Sequence, residues 1–304
     1  MSVINSSNFA KALWPGINAW YGKAYDEYKT EYTDLFDTFK SNRAFEEDVG
    51  VTSFGLAVQK GEGAPVTYDS ERQSFITRYT HIVYALGFII TREIYEDDQY
   101  DVVGQRKAQG LAFSMRQTKE IVGANIYNRA FAGAGNPVYG DGVTLLNNAH
   151  PNFAGGTQSN ILATAADLSE AALEQACIDI AGFTNDRGLL IKVLPKRLVI
   201  PRQLMFEAKR IMGTDGRVGT SNNDLNALKS LGVIPEMVVN HYLTDPDAWF
   251  IRTDVPHGMK YWERRGDEFK MDEDFDTENA KYKATARYSF GNTDWRALFG
   301  SPGA

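Results

Sequence analysis

The sequence predicts an α+β fold whose elements cannot all be buried within one globule. Three observations point to it. Aromatic residues recur at helical spacing near the N-terminus. A long extended stretch is polar on both faces. A very long helix then leads into a region where short strands and helices alternate.

The elements follow in order. Over residues 1–48, Tyr21, Tyr25, Tyr28, Tyr32 and Phe36 are spaced by four, three, four and four. This puts one aromatic stripe on one helix face. The stripe, with Trp14 and Trp20 before it, suits either a core-facing helix or an arm packed on another subunit. Residues 50–90 read as a hairpin. Phe54, Leu56 and Val58 alternate with small or polar residues, Gln59–Pro65 is a Gly-rich turn, and Phe75–Ile90 is rich in β-branched and aromatic residues. The distal part carries Asp69, Glu71, Arg72 and Gln73 on both faces. It is expected to project and to need a neighbour, because an isolated two-stranded hairpin is marginal in water.

Residues 97–131 read as one helix, roughly 50 Å long at 1.5 Å per residue. Asp97 and Asp98 favour its N-terminal dipole end. Ala108, Leu111, Ala112 and Met115 form its buried stripe, and Gly133–Pro137 ends it. The stretch 133–160 holds six glycines and reads as loop. Beyond it a helix runs from Leu168 to about Phe183, capped by Asp167 with Glu170 or by Ser169. Leu198–Ile200 is a short strand, with Pro201 at the first position of a helix reaching about Met212. Gly213–Asn226 is a polar loop, and Val238–Val239 and Trp249–Ile251 are strands. From Lys281 to Phe290 strict alternation predicts a half-buried strand with a basic outer face.

Composition bounds the function. The chain has 304 residues, 43% of them apolar, and a net charge of −7. A core can form, but an acidic chain is poorly made for wrapping nucleic acid, which requires clustered Lys and Arg. The single cysteine, Cys177, cannot form an internal disulfide and reads as a buried inert thiol. No signal-peptide pattern opens the sequence, and its longest apolar run, Ile82–Ile90, is far short of a bilayer span. The expectation is a soluble protein made in a cytoplasm, with no membrane partner.

Catalytic and metal motifs are missing from the sequence. It contains no phosphate-binding Gly-x-x-x-x-Gly-Lys loop, no dinucleotide fingerprint and no nucleophile elbow. His81, His150, His241 and His257 form no metal-binding pair, and His150-Pro151 and Pro256-His257 read as turns. Asp272-Glu-Asp274-Phe-Asp276 starts like a calcium loop but has Thr277 and Lys283 where Gly and Glu are needed. It reads as a solvated turn. Arg265-Gly266-Asp267 is given no adhesive role. No cofactor is expected.

Taken in order, these elements resemble the HK97-type major capsid fold of tailed phages. Leu198-Val-Ile-Pro201 and the following helix are similar to a strand–helix step of that family. Ala280–Phe290 with Gly291–Phe299 resembles its closing strand and tail, and Leu146–Pro151 a His-Pro step of Mu-like head subunits. The resemblance implies five parts: an N-terminal arm (1–48), an E-loop hairpin (49–85), a P-domain with the spine helix (86–155), an A-domain (156–249), and returning P-domain strands with the tail (250–304). It implies pentamers and hexamers of an icosahedral shell around double-stranded DNA, with DNA nearby but not bound in a sequence-specific way. Scaffolding, portal and decoration proteins are the implied partners, with assembly in the host cytoplasm.

The resemblance also implies site residues. Lys60, Glu62, Asp69, Glu71 and Arg72 are candidates for inter-subunit contacts of the E-loop. Asp215, Arg217, Asn222 and Asn223 would sit on the axis-facing A-domain loop. Trp14, Trp20, Tyr21, Tyr25 and Tyr28 would pack the arm. Lys–Asn crosslinking occurs in some relatives; Lys60 has no matching context here. A scaffolding segment is expected to be separate or already removed. Two alternatives stand beside this reading. One is an encapsulin-like cellular shell protein. The other, from a different class, is a hydrolase using carboxylates such as Asp97 and Asp98, with Gly133–Gly156 as its substrate loop.

Overall fold

The computed structural model describes residues 10–26, 29–96, 100–133, 135–152, 155–216, 224–274 and 279–304. The chain opens with α1 (Ala10–Asp26) and the single turn α2 (Tyr32–Leu35). Strands β1 (Asp37–Lys40), β2 (Phe45–Val51), β3 (Gln73–Thr80) and β4 (Ile82–Ile90) follow, then α3 (Arg92–Glu96) and the long α4 (Tyr100–Asn128). The Gly-rich stretch holds only the two-residue strands β5 (His150–Pro151) and β6 (Thr157–Gln158). Next come α5 (Glu170–Ala181), β7 (Pro195–Pro201), α6 (Met205–Gly213), α7 (Ala227–Leu231), β8 (Glu236–Asn240) and β9 (Trp249–Thr253). Two long strands, β10 (Met259–Glu273) and β11 (Ala280–Asn292), lead to the closing β12 (Leu298–Ser301). The mixture of helices and strands is the expected α+β class.

The first sheet has the order β1-β10-β11-β4. β1 runs parallel to β10, and the other pairs are antiparallel. One face of this sheet meets α4, whose Ala108, Leu111, Ala112 and Met115 are all buried, as their spacing requires. Aromatic rings fill the layer between. Phe88 stacks on Tyr282, its partner in the β4–β11 register, at 4.9 Å, and Tyr84, opposite Ala286, stacks diagonally on Tyr288 at 4.6 Å. Burying rings of this size supplies most of the core's apolar area.

The second sheet has the order β12-β9-β7-β8, and its strands β7, β9 and β12 place buried residues on both faces. Side-chain alternation divides its residues between two cores. Val199, Phe250 and Leu298 join the first core, with Tyr127, Leu145 and Leu146. Leu198, Ile200, Trp249, Ile251 and Phe299 join the second, with Leu173, Ile180, Ala208 and Ile211 of α5 and α6. One sheet therefore forms a wall of both cores. The expected boundary at 249/250 falls on the first residues of β9, and the tail strand β12 returns to this same sheet rather than to the first.

Several expectations are corrected in detail. Phe75–Ile90 is not one strand. Up to His81 the odd residues Tyr79 and His81 point inward; from Tyr84 the even residues Tyr84, Phe88 and Ile90 do. That change of phase turns the chain from β3, paired with β2, into β4, paired with β11. Phe54–Val58 are in no strand. The described part of the long helix, Tyr100–Asn128, spans about 44 Å at 1.5 Å per residue, and the helix ends at Asn128 rather than at Phe131. Asp97 and Asp98 lie outside the described residues. Pro201 ends β7 instead of opening a helix, and a tight turn at Arg202–Leu204 separates it from α6. His150-Pro151 is a strand rather than a turn. Ser169 is the cap of α5, its Oγ accepting the Ala172 N–H at 3.2 Å. Asp274 ends the first arm of the acidic turn, and its carboxylate pairs with Lys281. Cys177 is half-buried, and burial pushes its thiol up to about 11.

Candidate functional site: an uncovered arm on a fixed root

The feature that its own chain does not account for is the stretch between β2 and β3. The two strands pair antiparallel from Phe45↔Thr80 to Val51↔Gln73. The base beyond them is pinned by Thr52, whose N–H donates to the Arg72 carbonyl at 2.9 Å while its Oγ1 accepts the Arg72 N–H at 2.9 Å. From Ser53 to Glu71 the chain lies in no helix or strand, turns at Gly61–Ala64 and is exposed throughout. Phe54, Leu56 and Val58 are 55%, 78% and 69% exposed, and Tyr68 is 92% exposed. A row of apolar side chains this open is unusual for a monomer's surface.

The root of this arm is fixed by buried polar contacts. Tyr79 Oη lies 2.7 Å from Thr293 Oγ1, and Thr293 and Lys260 both donate to the Asp48 carboxylate at 2.6 Å. His81 sits between two hydroxyls, with Ser289 at 2.9 Å and Ser41 at 3.1 Å. Ser41 donates onward to Glu46 at 2.7 Å, so it accepts from His81 Nε2–H, and Nδ1 accepts from Ser289. The neutral ring is thus fully satisfied. Burial, then the nearby Arg287, lowers the His81 pKa.

The expected arm charges are all exposed. Asp69 is paired within its own chain: it accepts the Gly55 N–H at 2.8 Å and meets Arg187 at 3.3 Å. Those backbone bonds, with Arg187, hold its carboxyl below the usual range. Lys60, Glu62, Glu71 and Arg72 have no ion-pair partner among the described residues. Of the expected axis-loop residues, Asp215 is exposed and binds Lys229 at 2.6 Å; Arg217, Asn222 and Asn223 lie outside the described residues. The residue that closes this loop, which the sequence reading passed over, is Asn226. It is fully buried, caps α7 through the Lys229 N–H at 3.2 Å and bonds the Thr214 carbonyl at 3.2 Å. An Asn just before an apolar helical stretch was the available signal.

The aromatic stripe packs on its own chain. Tyr21 is buried and stacks on Phe269 at 4.6 Å, Trp20 packs against the first core, and Tyr25 joins a buried polar group. The side chain of Trp14 and all of Tyr28 lie outside the described residues. Lys119 Nζ donates to Asp267 at 2.7 Å and to Tyr25 Oη at 2.9 Å, and Tyr25 donates to Asp267. Asp267 faces inward because β10 is irregular between Arg265 and Glu268. The Arg265-Gly266-Asp267 triplet is thus a bulge that aims a carboxylate at the long helix.

A second polar group straps the segment 31–37 across both cores. Glu31 accepts from His241 at 2.7 Å, and the Glu31 and Tyr32 N–H groups donate to buried Glu120 at 3.0 and 2.8 Å. Arg197 and Arg252 reach the Asp34 carbonyl at 2.6 and 3.2 Å, and Arg252 also holds Asp37. His150, 1% exposed, stacks on Trp295 at 4.6 Å and bonds Asp141 and Asn160. Among the described residues, no group of three or more His, Cys, Asp or Glu could hold a metal, and no helix is long and apolar enough to cross a membrane.

A long helix laid on a four-stranded sheet, a second two-sided sheet and a projecting arm together define the HK97-type fold of shell subunits. The chain is similar to one from Mycobacterium phage Patience, with 12% identity, TM-score 0.54 and coverage of 98% of this chain and 88% of that one. It is similar to the procapsid chain of bacteriophage JBD30, with 15% identity, TM-score 0.50 and 97% and 75% coverage. The virus-like particle from Pyrococcus furiosus shares the fold at 8% identity, TM-score 0.51 and 94% and 97% coverage. No curated protein matches the chain. The chain belongs to the phage capsid protein family, whose model matches residues 75–300. That match favours a phage shell over a cellular nanocompartment.

Proposed function

We propose that this chain is the major head subunit of a tailed-phage particle, forming the pentamers and hexamers of an icosahedral shell around double-stranded DNA. The observation that carries the reading, beside family membership, is the arm from Ser53 to Glu71, whose apolar row nothing in its own chain covers. In the shell a neighbouring copy covers it. The second core and its sheet then form the A-domain, and the first sheet with α4 the P-domain. The loop closed by Asn226 is the axis-facing tip. Lys60, Glu62, Glu71 and Arg72 meet the neighbour as exposed charges, each pair worth about 0–1 kcal/mol and telling only in number. The role is structural rather than catalytic. Assembly takes place in the host cytoplasm, with scaffolding, portal and decoration proteins as partners.

Negative-stain microscopy of the purified chain, alone or with its scaffold, tests this. Uniform shells are expected; a dispersed monomer under every condition speaks against the proposal. Deleting Lys60–Ala64 is expected to leave the subunit melting unchanged but to cut shell yield. Normal particles from that deletion exclude the assigned role of the arm tip.

A further inference from the structure

Among the described residues, β4 is the last strand of its sheet, paired with β11 on one side only. Its nine residues, Ile-Val-Tyr-Ala-Leu-Gly-Phe-Ile-Ile, include no charge and no proline. Proteins that leave a strand edge in water blunt it with Lys, Pro, a bulge or a covering loop, because the free N–H and C=O groups template pairing with another chain. None of these devices is present within β4. Four of its side chains, Ile82, Val83, Leu86 and Ile89, are 48–56% exposed. This edge is built to be covered.

Among the described residues, the arm limb Ser53–Gln59 is another uncovered segment outside any sheet. It is also free of charge and also alternates, with Phe54, Leu56 and Val58 exposed and its backbone outside any sheet. The limb and the edge do not pair within this molecule. The limb leaves the distal end of the β2–β3 hairpin and β4 leaves its root, with the eight residues of β3, about 26 Å at 3.3 Å each, between them. Two complementary surfaces at opposite ends of one chain make a head-to-tail contact, which closes into rings when the rotation permits.

We infer that the limb Ser53–Gln59 of one copy pairs as an added strand along the open edge of β4 in a second copy. This rests on the reading of the chain as a shell subunit and specifies how the arm engages its neighbour. Pairing of β4 with β4 is the competing arrangement. It would close at two copies and leave the limb bare.

The test uses the full chain with Cys177→Ser, so that no native thiol interferes. Ala57→Cys is combined in turn with Val83→Cys, Ala85→Cys and Ile89→Cys, and particles are oxidised and run on non-reducing gels. Disulfides form only where Cα atoms come within about 7 Å. At least one combination is expected to link most subunits into oligomers, with no linkage from any single substitution. Leu86→Lys, which charges the edge, is expected to leave melting unchanged and reduce shell yield at least tenfold. Linkage by Ala85→Cys alone identifies β4–β4 pairing and overturns the inference. So do normal particles showing no linkage together with normal assembly of Leu86→Lys, an outcome that leaves the shell reading intact. Absence of particles from the unmodified chain defeats the shell reading, and this inference falls with it.

Discussion

Lys119, Asp267 and Tyr25 show how a few polar side chains can decide where an apolar element docks. Lys119 and Asp267 are 5% and 8% exposed, so each charge relies on the other for solvation. Asp267→Ala should cost about 3–5 kcal/mol in urea unfolding, since it strands a buried ammonium. Replacing both, as Lys119→Met with Asp267→Leu, should cost less than that single change. His81 gives a pH dependence whose sign is fixed by its surroundings. Its folded pKa lies below the ordinary 6.5, so the unfolded chain takes up a proton before the folded chain does. The stability it contributes is complete above 6.5 and is lost as pH falls toward the lowered folded value. Urea melts at pH 7.5 and 5.5 should show a smaller loss in His81→Gln than in the native chain.

At the level of elements, tight contacts show which changes the sheets tolerate. A Cβ on Gly87 of β4 would lie 2.5 Å from the Tyr282 carbonyl across the β4–β11 pair. Gly87→Ala should therefore lower the melting temperature, by an amount corresponding to about 1–3 kcal/mol of overpacking strain. The sequence shows β11 and the buried stripe of α4 plainly, because strict periods of two and of 3.6 survive wherever one face is buried. It hides the break at His81, because β-branched and aromatic residues run through it without a Gly or Pro. The signal there is the phase change from Tyr79 and His81 to Tyr84 and Phe88. The triad and the strap were not legible at all. Tyr25, Lys119 and Asp267 are far apart in sequence, and only a bulge, which composition does not announce, turns Asp267 inward. Pro201 misled for a related reason: a trans proline at the end of a strand and one at the start of a helix share the same φ.

For the molecule as a whole, the two-sided sheet matters most. Because β7, β9 and β12 contribute to both cores, neither core can empty without exposing the other. The strap from Glu31 to Asp37 reinforces this, since its partners Arg197 and Arg252 come from β7 and β9 of the second sheet and His241 from the turn that follows β8. The dispersed subunit should unfold in a single calorimetric transition, with van't Hoff and calorimetric enthalpies in agreement. Two resolved peaks would show that the cores are separable.

The strand order β1-β10-β11-β4 also has a consequence in time. β1 and β4 are made early, yet both wait for β10 and β11, which end at Asn292. At roughly 5–20 residues per second, the ribosome needs on the order of 10–40 s to travel from the end of β4 to the end of β11. Through that interval the residues of β4 have no sheet to belong to and offer no ordered edge. Only a chain translated past Asn292 can present that edge.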